Sequence, residues 1–201
     1  IKVYISARIP LNASGVTVSA SEITYGQTLN ESKLTATGTM KHPGTGEEVK
    51  GTFAWTNPEA KPGAAGDYTA SWTFTPAEEE YATATGTATV TVNPKAVTVS
   101  GITAKDKVYD GNTDAVLDCS KVTLVGVLEN DTLTVTATGT FESANVGKQK
   151  VKISGFKLGG ASANNYVLAE SGNQTETTAT ITAKKVTVTI TPNGGTYGSV
   201  T

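Results

Sequence analysis

The chain has few reactive and few charged side chains. Its 201 residues include one cysteine, one histidine and one methionine. With Cys119 alone there is no internal disulfide framework, and with no histidine partner its thiol is expected to behave as a small apolar strand residue. The single histidine, His42, falls in Lys41-His42-Pro43-Gly44-Thr45-Gly46, which reads as a hairpin tip. A Ser-His-Asp or Cys-His nucleophile is therefore not expected, and no Cys or His cluster offers zinc ligands. Charged residues make up 17% of the chain, the net charge is -2, and Lys and Arg are scattered. Neither a nucleic-acid backbone nor an anionic bilayer would be attracted strongly. No apolar run reaches the roughly 18 residues needed to span a membrane as a helix. The chain opens on Ile1 rather than Met and carries no recognisable signal peptide, as expected of a piece of a longer precursor.

What is abundant is threonine, with 36 residues, alongside 21 glycines. Threonine suits a pleated strand and keeps a solvent face wet without adding charge. Leu133 to Phe141 alternates apolar or small residues with threonine, and Tyr68 to Phe74 places Tyr68, Ala70, Trp72 and Phe74 on one face. Val151 to Phe156 and Tyr166 to Leu168 read as further strands, and Ile1, Val3 and Ile5 as an opening one. Pro76 to Glu80 fits one helical turn. Asp114 to Leu128 fits either period. An all-β chain is predicted.

The sequence also repeats. GVTVSASEITYGQT (15–28) returns as AVTVSGITAKDKVYDGNT (96–113) and as KVTVTITPNGGTYGSV (185–200). Each copy has Val-Thr-Val, a variable piece, and a Tyr with Gly one or two places on. These turns hold Tyr25-Gly26, Tyr109-Asp110-Gly111 and Tyr197-Gly198. TATGT at 35–39 and 136–140, and TATVT at 87–91 against TATIT at 178–182, keep the register. The linkers Val92-Asn93-Pro94-Lys95-Ala96 and Ala183-Lys184-Lys185 are too short for flexible tethers. The expected organisation is a lead-in or end of a preceding repeat over 1–13, modules over 14–93 and 95–184, and the start of a third repeat over 185–201.

Within KVYDGNTDA (107–115), Asp110, Asn112 and Asp114 alternate as in the first half of a calcium loop. The sixth and twelfth positions, which require Gly and Glu, hold Ala115 and Lys121. A turn is expected there in preference to a calcium site, with the tyrosine ring packing across it. No cofactor is expected.

Lys107-Val108-Tyr109-Asp110-Gly111-Asn112-Thr113, then Gly126-Val127, Gly139-Thr140-Phe141, Asn145-Val146-Gly147 and Asn164-Asn165-Tyr166, resembles the YDG domain of bacterial cell-surface adhesins. The first module, with Ile23-Thr24-Tyr25-Gly26-Gln27, Gly51-Thr52-Phe53-Ala54-Trp55 and Trp72-Thr73-Phe74-Thr75-Pro76, resembles the related MBG and bacterial Ig-like repeats. The resemblance implies a large secreted or wall-attached repeat protein, of the Gram-positive kind, whose modules serve as stalks or adhesive units. It carries no catalytic residues.

Tandem Ig-like β-sandwiches are the expected fold, with a β-grasp-like module carrying a helix within 114–128 as the alternative. The expected partners are neighbouring repeats of the same chain, and in a second reading a host glycan or protein. For that reading Trp55 and Trp72 are the candidate ligand platform, against a place for both in the core. A carbohydrate-active enzyme would need paired carboxylates, and Glu47-Glu48 and Glu78-Glu79-Glu80 lie instead in turn-rich, solvated segments. An isopeptide crosslink from a Lys to an Asp or Asn remains compatible with the composition.

Overall fold

The computed structural model describes residues 7–189. The opening strand expected over Ile1, Val3 and Ile5, and the third turn at Tyr197-Gly198, lie outside the described residues. The described residues are all-β, with 49% strand and 3% helix. Among them the helical pieces are single 3-10 turns at Leu29–Glu31 and Ala163–Asn165.

The first repeat builds β1 (Thr17–Ala20), β2 (Ile23–Thr24), β3 (Leu34–Thr37), β4 (Gly51–Trp55), β5 (Gly66–Pro76) and β6 (Ala84–Asn93). One sheet runs β2-β6-β5-β4, with β2 and β6 parallel and the other pairs antiparallel. Antiparallel β1 and β3 form a separate ladder. Alternation decides which side is buried. Along β5, Ala70, Trp72 and Phe74 point into the core while Thr69 and Ser71 face solvent. Val16, Val18 and Leu34 pack on the same core as Trp72, Phe74, Val90 and Val92, so the β1-β3 ladder lies over the sheet.

The second repeat has β7 (Lys95–Ser100), β8 (Thr103–Ala104), β9 (Lys107–Val108), β10 (Asp114–Ala115), β11 (Leu117–Asp118) and β12 (Thr123–Val125). It continues with β13 (Thr134–Phe141), β14 (Gly147–Gly159), β15 (Tyr166–Leu168) and β16 (Glu176–Thr182). Its main sheet runs β9-β16-β14-β13-β10, the order of the first repeat with one strand added at the edge. The correspondence extends to single residues. Gly66 opens β5 opposite Val92 and Gly147 opens β14 opposite Ile181, with φ of 115° and 127°, a backbone that glycine adopts at no steric cost. Only Pro94 separates β6 from β7, so the linker is one residue long.

By contact density the described chain parts into two compact units that interleave in sequence. One holds the described residues through Ser100 with Thr123–Thr136 and Lys157–Asn173; the other holds Gly101–Val122, Ala137–Phe156 and the described residues from Gln174 on. The second unit has its own core of Phe141, Val151, Ala179 and Ile181, with Ala104, Ala115 and Leu117 against it.

Three expectations are corrected. Residues 114–128 form the short strands β10, β11 and β12 and no helix, so the helix tied to the β-grasp alternative does not form there. Pro76 to Glu80 ends β5 and makes a plain turn, with the Ala77 amide continuing the ladder to Lys50 O and the Tyr81 amide donating to Glu78 O. Cys119 is half-buried, but it lies just beyond the end of β11 and not in a strand as expected.

Candidate functional site

Trp55 and Trp72 stand directly opposite each other on β4 and β5, and each is only 7% exposed. The next residue in that row, on β6, is Gly86, and a Cβ there would collide with the Trp72 ring. The missing side chain is what lets the indole lie on the strand. Phe53 meets Trp72 edge-on with ring centroids 5.3 Å apart. The Trp55 indole N–H donates to Ser32 O at 2.8 Å, whereas Trp72 Nε1 is buried without a partner. Neither ring offers an open face to a ligand.

The Asp110, Asn112 and Asp114 turn is organised around an internal cation. Lys107 occupies on β9 the place that Ile23 holds on β2, since Lys107 pairs with Ile181 as Ile23 pairs with Val92. An isoleucine can be buried there without further provision; an ammonium must be solvated by something. The turn supplies it. Lys107 Nζ lies 2.8 Å from Asp110 Oδ1 and donates to Asn112 O at 2.9 Å, Asn112 Oδ1 at 2.7 Å and Asp114 O at 3.1 Å. It also sits 5.4 Å from the Phe141 ring centroid. Asp110 accepts from the Asn112 amide and Asn112 Oδ1 from the Asp114 amide, while Gly111 takes φ 83°. Lys107, followed by the Asn112 amide, holds the Asp110 carboxyl below its ordinary value. Two of the three calcium candidates of the sequence, the Asp110 and Asn112 side chains, thus bind a lysine ammonium, while Asp114 contributes its main-chain oxygen. Among the described residues no group of three or more His, Cys, Asp or Glu could hold a metal ion.

The Tyr25 ring finds its partners outside its own turn. Tyr25 reaches Asp131, donating to Oδ1 at 3.3 Å, and meets Tyr166 edge-on at 5.6 Å between centroids. Asp131 also accepts from the hydroxyls of Tyr166 and of Ser162, the latter at 2.9 Å. The Leu128 amide donates back to the Tyr166 oxygen, and Leu128 rests against Gly26, where φ is 93°. Asn165 accepts from the Ala65 amide at 2.9 Å. This cluster joins side chains of the first repeat to those of the second, all within one compact unit. Three hydroxyl donors, Tyr166 foremost, hold the Asp131 carboxyl below the usual carboxylate range. Burial, then Asp131, pushes Tyr166 up to about 12 and raises Tyr25 in the same direction.

The sign of the pH dependence follows. The contribution of Asp131 is complete above its ordinary value of 3.8 and is lost as pH falls through its lower folded value. That of Tyr166 is complete below 10.0 and is lost as pH rises towards about 12. Thermal melts of the parent and Asp131→Asn between pH 2 and 7 should show a steep acid loss in the parent and a shallower one in the variant. Parallel curves would mean that Asp131 is not held as described.

Sequence reasoning did not single out Asp131, which sits in Glu129-Asn130-Asp131-Thr132 and looks like a solvated turn acid. The Asn165-Tyr166 pair was visible as a motif, but its partners lie 100 and 35 positions away. His42 lies at its hairpin tip, where Nδ1 accepts from the Gly44 and Thr45 amides at 3.0 and 3.1 Å and so shapes the turn. No curated protein matches the chain. The family model described as YDG domain matches residues 93–178, a span containing the Lys107 turn, Asp131 and the Asn165-Tyr166 pair. A YDG domain therefore occupies residues 93–178 of this chain.

Proposed function

We propose that the chain is a structural repeat segment of a bacterial cell-surface adhesin, a stalk that spaces a distal binding region from the wall. The observation that carries this reading is the Tyr25, Asp131 and Tyr166 cluster, which spends the best-placed polar side chains on joining one repeat to the next. Nearest-neighbour contacts of this kind are what give a row of repeats its stability. Burial of both tryptophans supports the same reading, because the aromatic platform a lectin-like module would need is committed to the core. In this reading each repeat is an Ig-like sandwich variant, and the packing of β1 and β3 over the main sheet of the first repeat supports that description. An extracellular location, bacterial origin and the absence of catalysis belong to the same proposal.

The test is binding together with tryptophan fluorescence. A stalk should show blue-shifted emission, poorly quenched by acrylamide, and no saturable binding to arrays of host glycans or matrix proteins. Saturable binding to one of them, with quenching relieved by that ligand, would make the module adhesive in its own right and replace the stalk.

A further inference from the structure

Tyr25 and Tyr109 hold the same place in two copies of one framework. Each follows a two-residue strand that runs parallel to the last strand of its repeat, with Thr24 opposite Asn93 and Val108 opposite Thr182. The Tyr25 amide donates to Asn93 O and the Tyr109 amide to Thr182 O, both at 2.8 Å. Each tyrosine therefore stands where the chain leaves its repeat.

Their surroundings differ. Tyr25 is half-buried because the following repeat covers it with Asp131, Leu128 and Tyr166. Tyr109 is 43% exposed and Val108, the residue before it, 55% exposed. Val108 takes the position of Thr24, so the uncovered copy is also the more apolar one. Two adjacent large apolar side chains thus stand open at a chain exit whose counterpart in the first repeat has its tyrosine covered.

We propose that Val108 and Tyr109 form the docking surface for another repeat following in the same chain, which presents a loop carboxylate to the Tyr109 hydroxyl and an apolar side chain to Val108. The occupied copy specifies this partner, since Asp131 and Leu128 are such a pair at Tyr25 and Gly26. At Gly26 a Cβ would meet Leu128, whereas at Gly111 it would meet nothing within 4 Å among the described residues, so the turn beside Tyr109 stands uncovered as well. This inference rests on reading the chain as a repeat segment, but its test concerns the joint alone and does not depend on what the parent protein binds.

The test compares the 201-residue chain with the same chain extended after Lys184 by a second copy of residues 96–184 in which the tyrosine equivalent to Tyr109 is replaced by phenylalanine, so that the two peptides differ in mass. Tyrosine nitration by tetranitromethane, mapped by mass spectrometry, reads accessibility at Tyr109 and, as an internal reference, at Tyr25. Tyr109 should be nitrated severalfold more slowly in the extended chain, with Tyr25 slow in both. Tyr109→Ala should lower the melting temperature of the appended copy and leave the 201-residue chain nearly unchanged. Nitration of Tyr109 at the same rate in both chains overturns the proposal, as does a Tyr109→Ala effect of equal size in both. A loss of glycan or protein binding plays no part in either readout, so failure of the stalk reading remains distinguishable.

Discussion

Trp72→Ala should destabilise the first repeat by about 3–5 kcal/mol, the range for removing a large aromatic from a core that cannot collapse onto the gap. Collapse is limited here because the floor beneath the indole is Gly86, which has no side chain to move into the space. The phenylalanine variants should separate the two indoles. Trp72→Phe removes a buried N–H that has no partner, and so carries only the packing loss. Trp55→Phe removes the donor to Ser32 O and strands a buried carbonyl, adding about 1–3 kcal/mol to its packing loss. Urea unfolding followed by circular dichroism measures both. Equal losses for the two Phe variants would contradict the hydrogen-bond assignment.

Lys107→Met should cost the second unit about 2 kcal/mol, although methionine keeps the apolar stem. The loss arises because Asn112 O, Asn112 Oδ1, Asp114 O and the Asp110 carboxylate share one donor, and removing it leaves each to find water in a turn shaped around an ammonium. Faster amide exchange should follow at Asn112 and Asp114. The acid limb should change too. Asp110 contributes above its ordinary value of 3.8 and ceases to as pH falls through its lowered folded value, so the variant should lose less stability on acidification than the parent. Millimolar calcium should leave the parent's melting temperature unchanged, because the ammonium already sits among the oxygens that would receive it. A calcium-dependent rise in the parent would mean that the lysine is displaced by the metal.

The parts of the fold legible in the sequence were those governed by short-range period. Alternation in Tyr68 to Phe74 and Leu133 to Phe141 gave strands that form, as parts of β5 and β13, and it placed Trp72 on the buried face. The repeat register was equally plain, because the turn tyrosine recurs at spacings of 84 and 88 residues and Val-Thr-Val at 81 and 89. What was illegible depends on distant partners. The three-residue or shorter strands between Asp114 and Val125 have too few positions to establish a period, and pairing with β13, β8 and β7 decides them. Nothing local in the sequence marks Lys107 as half-buried; the pairing of β9 with β16 puts it where the first repeat has Ile23. Asp131 belongs to a polar turn by local criteria, and its partner Tyr25 is 106 residues away.

The parallel pairing of β2 with β6, and of β9 with β16, has a mechanical meaning. In each repeat the segment near the entry and the segment at the exit are neighbours running in the same direction. A pull on the two ends of such a repeat draws the paired strands past one another lengthwise, loading their slanted hydrogen bonds together rather than peeling them off in turn. Rupture under tension is governed by the unfolding barrier and not by equilibrium stability. Tyr25 and Tyr109 each add one further bond to this clamp through their amides. A repeat built this way can be modest in thermodynamic stability and still hold under tension.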